Sequence, residues 1–162
     1  MKYCKILGKK EQFAIEFNII NDKDRYGNFR IWLGENYLGT LDDDIYASYI
    51  ESGLEQILNL SNLEDDSLLN NNPNFIIDEV EKSIENLEDK YSRNIINFGS
   101  FCDDFFIVAF KSDRKIFVVW KLIRENDSII FEDLKKYPKA CFLHTVDYEY
   151  IKGVYELFES KA

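Results

Sequence analysis

The sequence predicts an α+β domain: a largely antiparallel β-sheet, built from an N-terminal meander and C-terminal hairpins, packed against two or three helices. Three observations carry that expectation. Phe13, Ile15, Phe17 and Ile19 stand at every second position, the period of a half-buried strand. Between Tyr46 and Tyr91 the large apolar residues recur instead at steps of three and four, the period of a helix face. Two runs dense in β-branched and aromatic residues, Phe105 to Phe110 and Ile116 to Leu122, flank a charged turn, as in a hairpin.

Taken in order, the strand from Phe13 is followed by NDKDRYGN, whose Asn, Asp and Gly suit a turn, and by a second strand over Phe29 to Leu33. Gly34-Glu35-Asn36 reverses the chain into a short third strand, Tyr37 to Thr40. A first helix follows on Tyr46, Ile50, Leu54, Ile57 and Leu58, with Asp43 or Asp44 as its N-cap. Gly53 lies inside it at a propensity cost of about 1 kcal/mol against Ala. Ser61 to Pro73 reads as a polar loop. Ile77, Val80, Ile84, Leu87 and Tyr91 then predict an amphipathic helix over 77–91 with these five residues facing the core. After the hairpin come short strands around Ile129 to Phe131 and Cys141 to His144. A last helix is capped by Thr145, with Tyr150, Ile151, Val154, Tyr155 and Phe158 as its buried stripe. Residues 1–162 are read as one domain, the size of the chain matching a single core.

Composition limits the function classes. Hydrophobic residues make up 46% of the 162 residues, enough for a packed core and too many for a disordered chain. The formal charge is −10, which argues against nucleic acid or an anionic membrane as direct partner, because phosphate binding needs Lys and Arg clusters. The longest apolar run, Phe105 to Phe110, is too short to span a bilayer. The N-terminal stretch is too short for a signal-peptide core and is interrupted by Lys9, Lys10 and Glu11. The three cysteines, Cys4, Cys102 and Cys141, are odd in number and widely spaced, so they read as reduced thiols. The expected location is the cytoplasm.

Catalytic motifs find no support. His144 is the sole histidine and has no nucleophile turn beside it. Cys141 and His144 have C-x-x-H spacing but lack the second ligand pair that zinc needs. Asp22 to Gly27 resembles the start of a calcium loop, yet Tyr26 and Leu33 stand where that loop needs oxygen ligands. No Gly-rich phosphate loop occurs, and Asp103-Asp104 is a pair of adjacent carboxylates without a partner base. The expectation is a protein with no catalytic residue, no cofactor and no metal.

The charge is unevenly spread. Residues 41–90 carry fourteen acidic groups and two basic ones, Lys82 and Lys90, whereas the rest of the chain is close to balanced. Glu81, Glu85 and Asp89 follow one another at i,i+4, where like charges repel by about 0.2–0.5 kcal/mol per pair. Asp42, Asp43, Asp44, Glu64, Asp65 and Asp66 lie in the same segment. Together these nine carboxylates are the candidate partner-binding residues, a surface suited to rapid docking of a basic protein.

One family is similar in pattern and order. Phe13-Ala14-Ile15-Glu16-Phe17, Phe29 to Gly34 with Tyr37-Leu38-Gly39, Gly53 to Leu58, Asp104 to Val108, Phe117 to Trp120 and Thr145 to Glu149 resemble small immunity proteins of bacterial polymorphic toxin systems, including contact-dependent inhibition. The resemblance implies a non-enzymatic, cytoplasmic inhibitor that binds the C-terminal domain of a cognate toxin. Many such toxins are nucleases with basic clefts, which an acidic inhibitor would complement. The alternative is an acidic protein-binding or adaptor domain with another basic partner.

Overall fold

The structure, a computed structural model, describes residues 4–161; Met1 to Tyr3 and Ala162, the ends of the 1–162 range, lie outside the described residues. Strand β1 (Lys5–Lys9) has no apolar alternation and joins the sheet through its backbone, pairing antiparallel with β2 (Phe13–Asn21). β2 pairs with β3 (Tyr26–Leu33) in a register that sets Ile15 opposite Ile31 and Phe17 opposite Phe29. β3 carries two further partners, β4 (Asn36–Leu38) at one end and β5 (Asp44–Tyr46) at the other, which completes a five-stranded antiparallel sheet. The second sheet is β6 (Phe105–Ser112), β7 (Lys115–Leu122) and β8 (Phe142–Asp147), antiparallel in that order. The helices are α1 (Ala47–Leu58), α2 (Pro73–Glu85), the short α3 (Glu132–Lys135) and α4 (Tyr148–Lys161). The fold is α+β, as the sequence predicts.

The meander, α1, α4 and the inner face of the second sheet close one core. Phe158 of α4 meets Phe17 and Phe29 edge-on at 5.6 and 6.0 Å, while Ile107, Val118 and Trp120 approach from the second sheet. A smaller core lies on that sheet's other face, where Ile76, Ile77 and Val80 of α2 cover Val108, Phe110 and Val119. Burial on both faces explains why β6 and β7 read as continuous apolar runs. Polar contacts around Asp133 tie α3 to the first sheet. Its carboxylate accepts from Arg30 Nη2 (2.7 Å), Thr40 Oγ1 (2.7 Å) and the Leu41 amide (3.2 Å), and its carbonyl accepts from the Tyr37 hydroxyl (2.6 Å). The Arg30 guanidinium lies 4.0 Å from the Tyr37 ring centroid.

Several local expectations are corrected. The first helix is not capped by Asp43 or Asp44: it begins after Tyr46, which makes no side-chain cap, and Asp44 belongs to β5. Asn72 caps α2 instead, accepting from the Phe75 amide at 2.9 Å, with Pro73 at the first helical position, so the helix starts four residues before Ile77 and ends at Glu85. Its buried face is Ile76, Ile77, Val80 and Ser83; Ile84 is 45% and Leu87 92% exposed. Tyr91 is buried, but from a loop. No strand forms at Ile129 to Phe131, because that stretch joins a 3₁₀ turn to α3: Ile129 is buried, Phe131 packs against the core and Ile130 is exposed. Thr145 pairs in β8, and α4 starts at Tyr148.

Candidate functional site

A cleft of about 1440 Å³ lies between the C-terminal half of α1, residues 59–71, α2 and residues 89–95. Its floor is pinned to β6 by two segments. Asn62 forms a parallel bridge to Lys111, and the Leu63 amide donates to the Lys111 carbonyl at 2.9 Å. On the other side Asn94 Nδ2 donates to the Ala109 carbonyl (2.8 Å) and Ile95 bridges Val108. Tyr91 meets Phe110 edge-on at 5.9 Å, and Gln56 and the Asn97 backbone exchange two hydrogen bonds across the α1 side. These contacts cover the β6 edge and hold the cleft wall in place without further secondary structure.

The lining is acidic. Glu55, Glu64, Asp65, Glu79 and Asp89 face Lys90 and Arg93. Four of the seven charges have partners. Glu79 pairs with Lys82 at 3.2 Å, and Lys90 Nζ sits 5.2 Å from the Tyr91 ring centroid, its pKa raised by hydrogen bonding to Tyr91. Asp65 caps a 3₁₀ turn, and the Ser67 amide, 3.0 Å from its Oδ1, holds that carboxyl below its ordinary pKa. Glu55 accepts from the Tyr155 hydroxyl at 2.9 Å, as Glu159 does at 2.8 Å; burial and these two carboxylates push the Tyr155 pKa up. Phe75, 42% exposed, adds an aromatic face to the rim. The cleft is open, and five carboxylates and one aromatic edge stand on its wall.

The nine carboxylates expected from sequence fall into separate places. Glu64, Asp65 and Asp89 line the cleft. Asp66 accepts from Ser112 Oγ at 2.9 Å. Glu81 reaches across to β7, where it pairs with Lys121 Nζ at 2.8 Å, and Glu85 is exposed at the end of α2. Asp43 accepts from Ser100 Oγ at 2.9 Å and Asp44 from Asn28 Nδ2. Asp44 lines a second hollow of about 440 Å³ with Tyr26, Tyr46 and Tyr49, and Asp42 is exposed before it. Glu55, Glu79 and Phe75 were missed as cleft residues. Glu79 and Phe75 share a face of α2 at i,i+4, a signal hidden by placing the helix start four residues late.

The residues weighed for catalysis have structural partners. Asp104 is buried and paired with Arg124 Nε at 2.6 Å; desolvation raises its pKa while Arg124 opposes the rise. His144 Nε2 lies 2.7 Å from the Gln12 carbonyl, so the ring bridges the second sheet to the β1–β2 turn. The buried Cys102 thiol is pushed well up by desolvation, away from reactivity. Among the described residues no group of His, Cys, Asp and Glu could hold a metal ion, and no helix is long and apolar enough to cross a membrane.

Comparison with known families decides the class. The model of the Immunity protein 42 family matches residues 6–160, nearly the whole chain. The chain belongs to the Immunity protein 42 family. The fold has a solved counterpart in the crystal structure of CdiI from Burkholderia dolosa, with a TM-score of 0.66 at 12% sequence identity, covering 98% of this chain and 100% of that one. At that identity the likeness concerns the fold. A search of curated proteins gives no match. Membership assigns an immunity function, the neutralising of a toxin.

Proposed function

We propose that this immunity protein inhibits its cognate toxin without catalysis, as a stoichiometric, cytoplasmic inhibitor in which residues 1–162 act as one domain. It docks the acidic cleft and the adjoining end of α2 on a basic surface of the toxin's C-terminal domain. The observation that carries this reading is the family match over residues 6–160 combined with five carboxylates on the cleft wall. A nuclease is the toxin class that fits best, because its phosphate-binding cleft is basic and an acidic inhibitor competes for it as the substrate would. Of the nine expected residues, Glu64, Asp65 and Asp89 are proposed to steer the partner directly. Asp42, Asp43, Asp44, Asp66, Glu81 and Glu85 then contribute to the wider negative field. The test is co-expression with the toxin domain encoded beside the gene, at graded inhibitor levels. Growth should recover only as inhibitor approaches the toxin level; full protection at a small fraction of it would refute stoichiometric inhibition.

A further inference from the structure

We infer that Leu87 is an apolar anchor for the toxin domain, inserting into a partner pocket whose rim is basic. This rests on the immunity reading above and adds to it a residue that the partner grips.

The argument starts from how α2 ends. The Glu88 amide donates to the Ser83 carbonyl at 2.8 Å and the Leu87 amide to the Ile84 carbonyl at 3.0 Å, the paired bonds of a Schellman stop. That stop needs its C′ residue in the left-handed region, and Leu87 has φ 57°. Glycine takes this place at no steric cost, whereas a side chain with a Cβ is strained there. A leucine could repay the strain by packing, but Leu87 is 92% exposed. Two penalties, backbone strain and a solvated apolar side chain, therefore fall on one residue with no compensating contact inside the chain. The other non-glycine residues with positive φ among the described residues are Arg25, Glu35 and Asp113, all charged and all in turns; Glu35 and Asp113 are exposed to water, and Arg25 pairs with Glu51 at 2.6 Å. Single exposed leucines are ordinary on protein surfaces; one standing where the backbone calls for glycine is not.

The surroundings identify the occupant. Ile84, half exposed one turn earlier, extends the apolar patch, and the exposed Glu85, Glu88 and Asp89 ring it. The flanking lysines are engaged elsewhere, Lys82 with Glu79 and Lys90 with Tyr91. An apolar centre within a carboxylate rim has the anatomy of an interface hot spot and calls for an apolar pocket edged by Lys or Arg. A second copy of this acidic chain would bring carboxylates against carboxylates. Asp89 lies both in this ring and on the cleft wall, so the anchor is continuous with the proposed docking surface.

The experiment compares Leu87→Gly, Leu87→Asn and Leu87→Met with the wild type in the full chain. It reads the thermal midpoint and the Kd for the purified toxin domain encoded beside the gene. Gly and Asn both tolerate the left-handed region, so neither should lower the midpoint, and Gly should raise it by about 2 °C. Both should weaken binding by roughly 10- to 100-fold, the loss of one buried leucine, expressed mainly in the off-rate. Met, still apolar, should stay within about threefold. Stability and affinity thus move in opposite directions, which a structural role for Leu87 does not allow. Wild-type affinity in the Gly or Asn variant would overturn the inference. So would a Leu87→Asn variant that dissociates a dimer of the free chain while binding the toxin unchanged. Failure of the wild type itself to bind would instead overturn the immunity reading beneath it.

Discussion

Replacing Gly53 by Ala should destabilise this protein, although the same change in a solvated helix interior stabilises by about 1 kcal/mol. Gly53 is buried in the middle of α1, and its bare Cα is where the Phe98 ring rests. A Cβ added there would lie 2.8 Å from Phe98 Cγ and closer still to Cδ1 and Cε1. Phe98 is 2% exposed and belongs to the main core, so its ring has nowhere open to go. Overpacking of this kind costs about 1–3 kcal/mol. Set against the propensity gain, the expected net loss is about 1 kcal/mol, or a midpoint lowered by about 2–4 °C. Thermal unfolding followed by circular dichroism measures it. The paired variant Gly53→Ala with Phe98→Leu should lose less than the sum of the two single changes, because both act on one contact. A higher midpoint for Gly53→Ala would show that propensity outweighs packing at this position and would refute the reasoning.

Other outcomes follow from the same contacts. Asp133→Ala should cost about 3–5 kcal/mol, since it leaves the Arg30 guanidinium, 13% exposed, without its carboxylate; denaturant unfolding should show the loss, with Asp133→Asn losing less. Leu87→Ala should leave stability within about 0.5 kcal/mol of wild type, because no core contact is removed. The triple variant Glu64→Gln, Asp65→Asn, Asp89→Asn should keep its fold and slow association with the toxin domain by roughly tenfold at low salt. Stopped-flow rates for variant and wild type should converge near 1 M salt, where screening acts over about 3 Å.

The parts of this fold that were legible in the sequence are those whose side chains repeat with a face. β2, β3, α1 and the stripe of α4 bury a periodic set, and β6 and β7, buried on both faces, show instead as two continuous apolar runs around a charged turn. β1 was illegible because its residues are mostly exposed and it is held by backbone pairing to β2. β5 is three residues long, and its Asp44 imitates a helix cap. The end of α2 was misread for a sharper reason: Leu87 continues the helical period while standing where a glycine would have announced the stop. Ile130 likewise belongs to an apolar triplet but is exposed, since the chain turns into α3 rather than pairing. Of the site, the acidity was visible and its division was not. Segment charge says nothing about which carboxylates line one cleft and which, like Glu81 with Lys121, are used across a helix–sheet contact.

The central claim is stoichiometric inhibition through direct binding, and titration of the purified toxin domain tests it most directly. Residual toxin activity is measured as this protein is added at a toxin concentration well above the expected Kd. Activity should fall in a straight line to a break at one inhibitor per toxin, and the mixture should elute as a single complex. Inhibition completed at a small fraction of an equivalent, or activity that persists through excess inhibitor, would contradict the account.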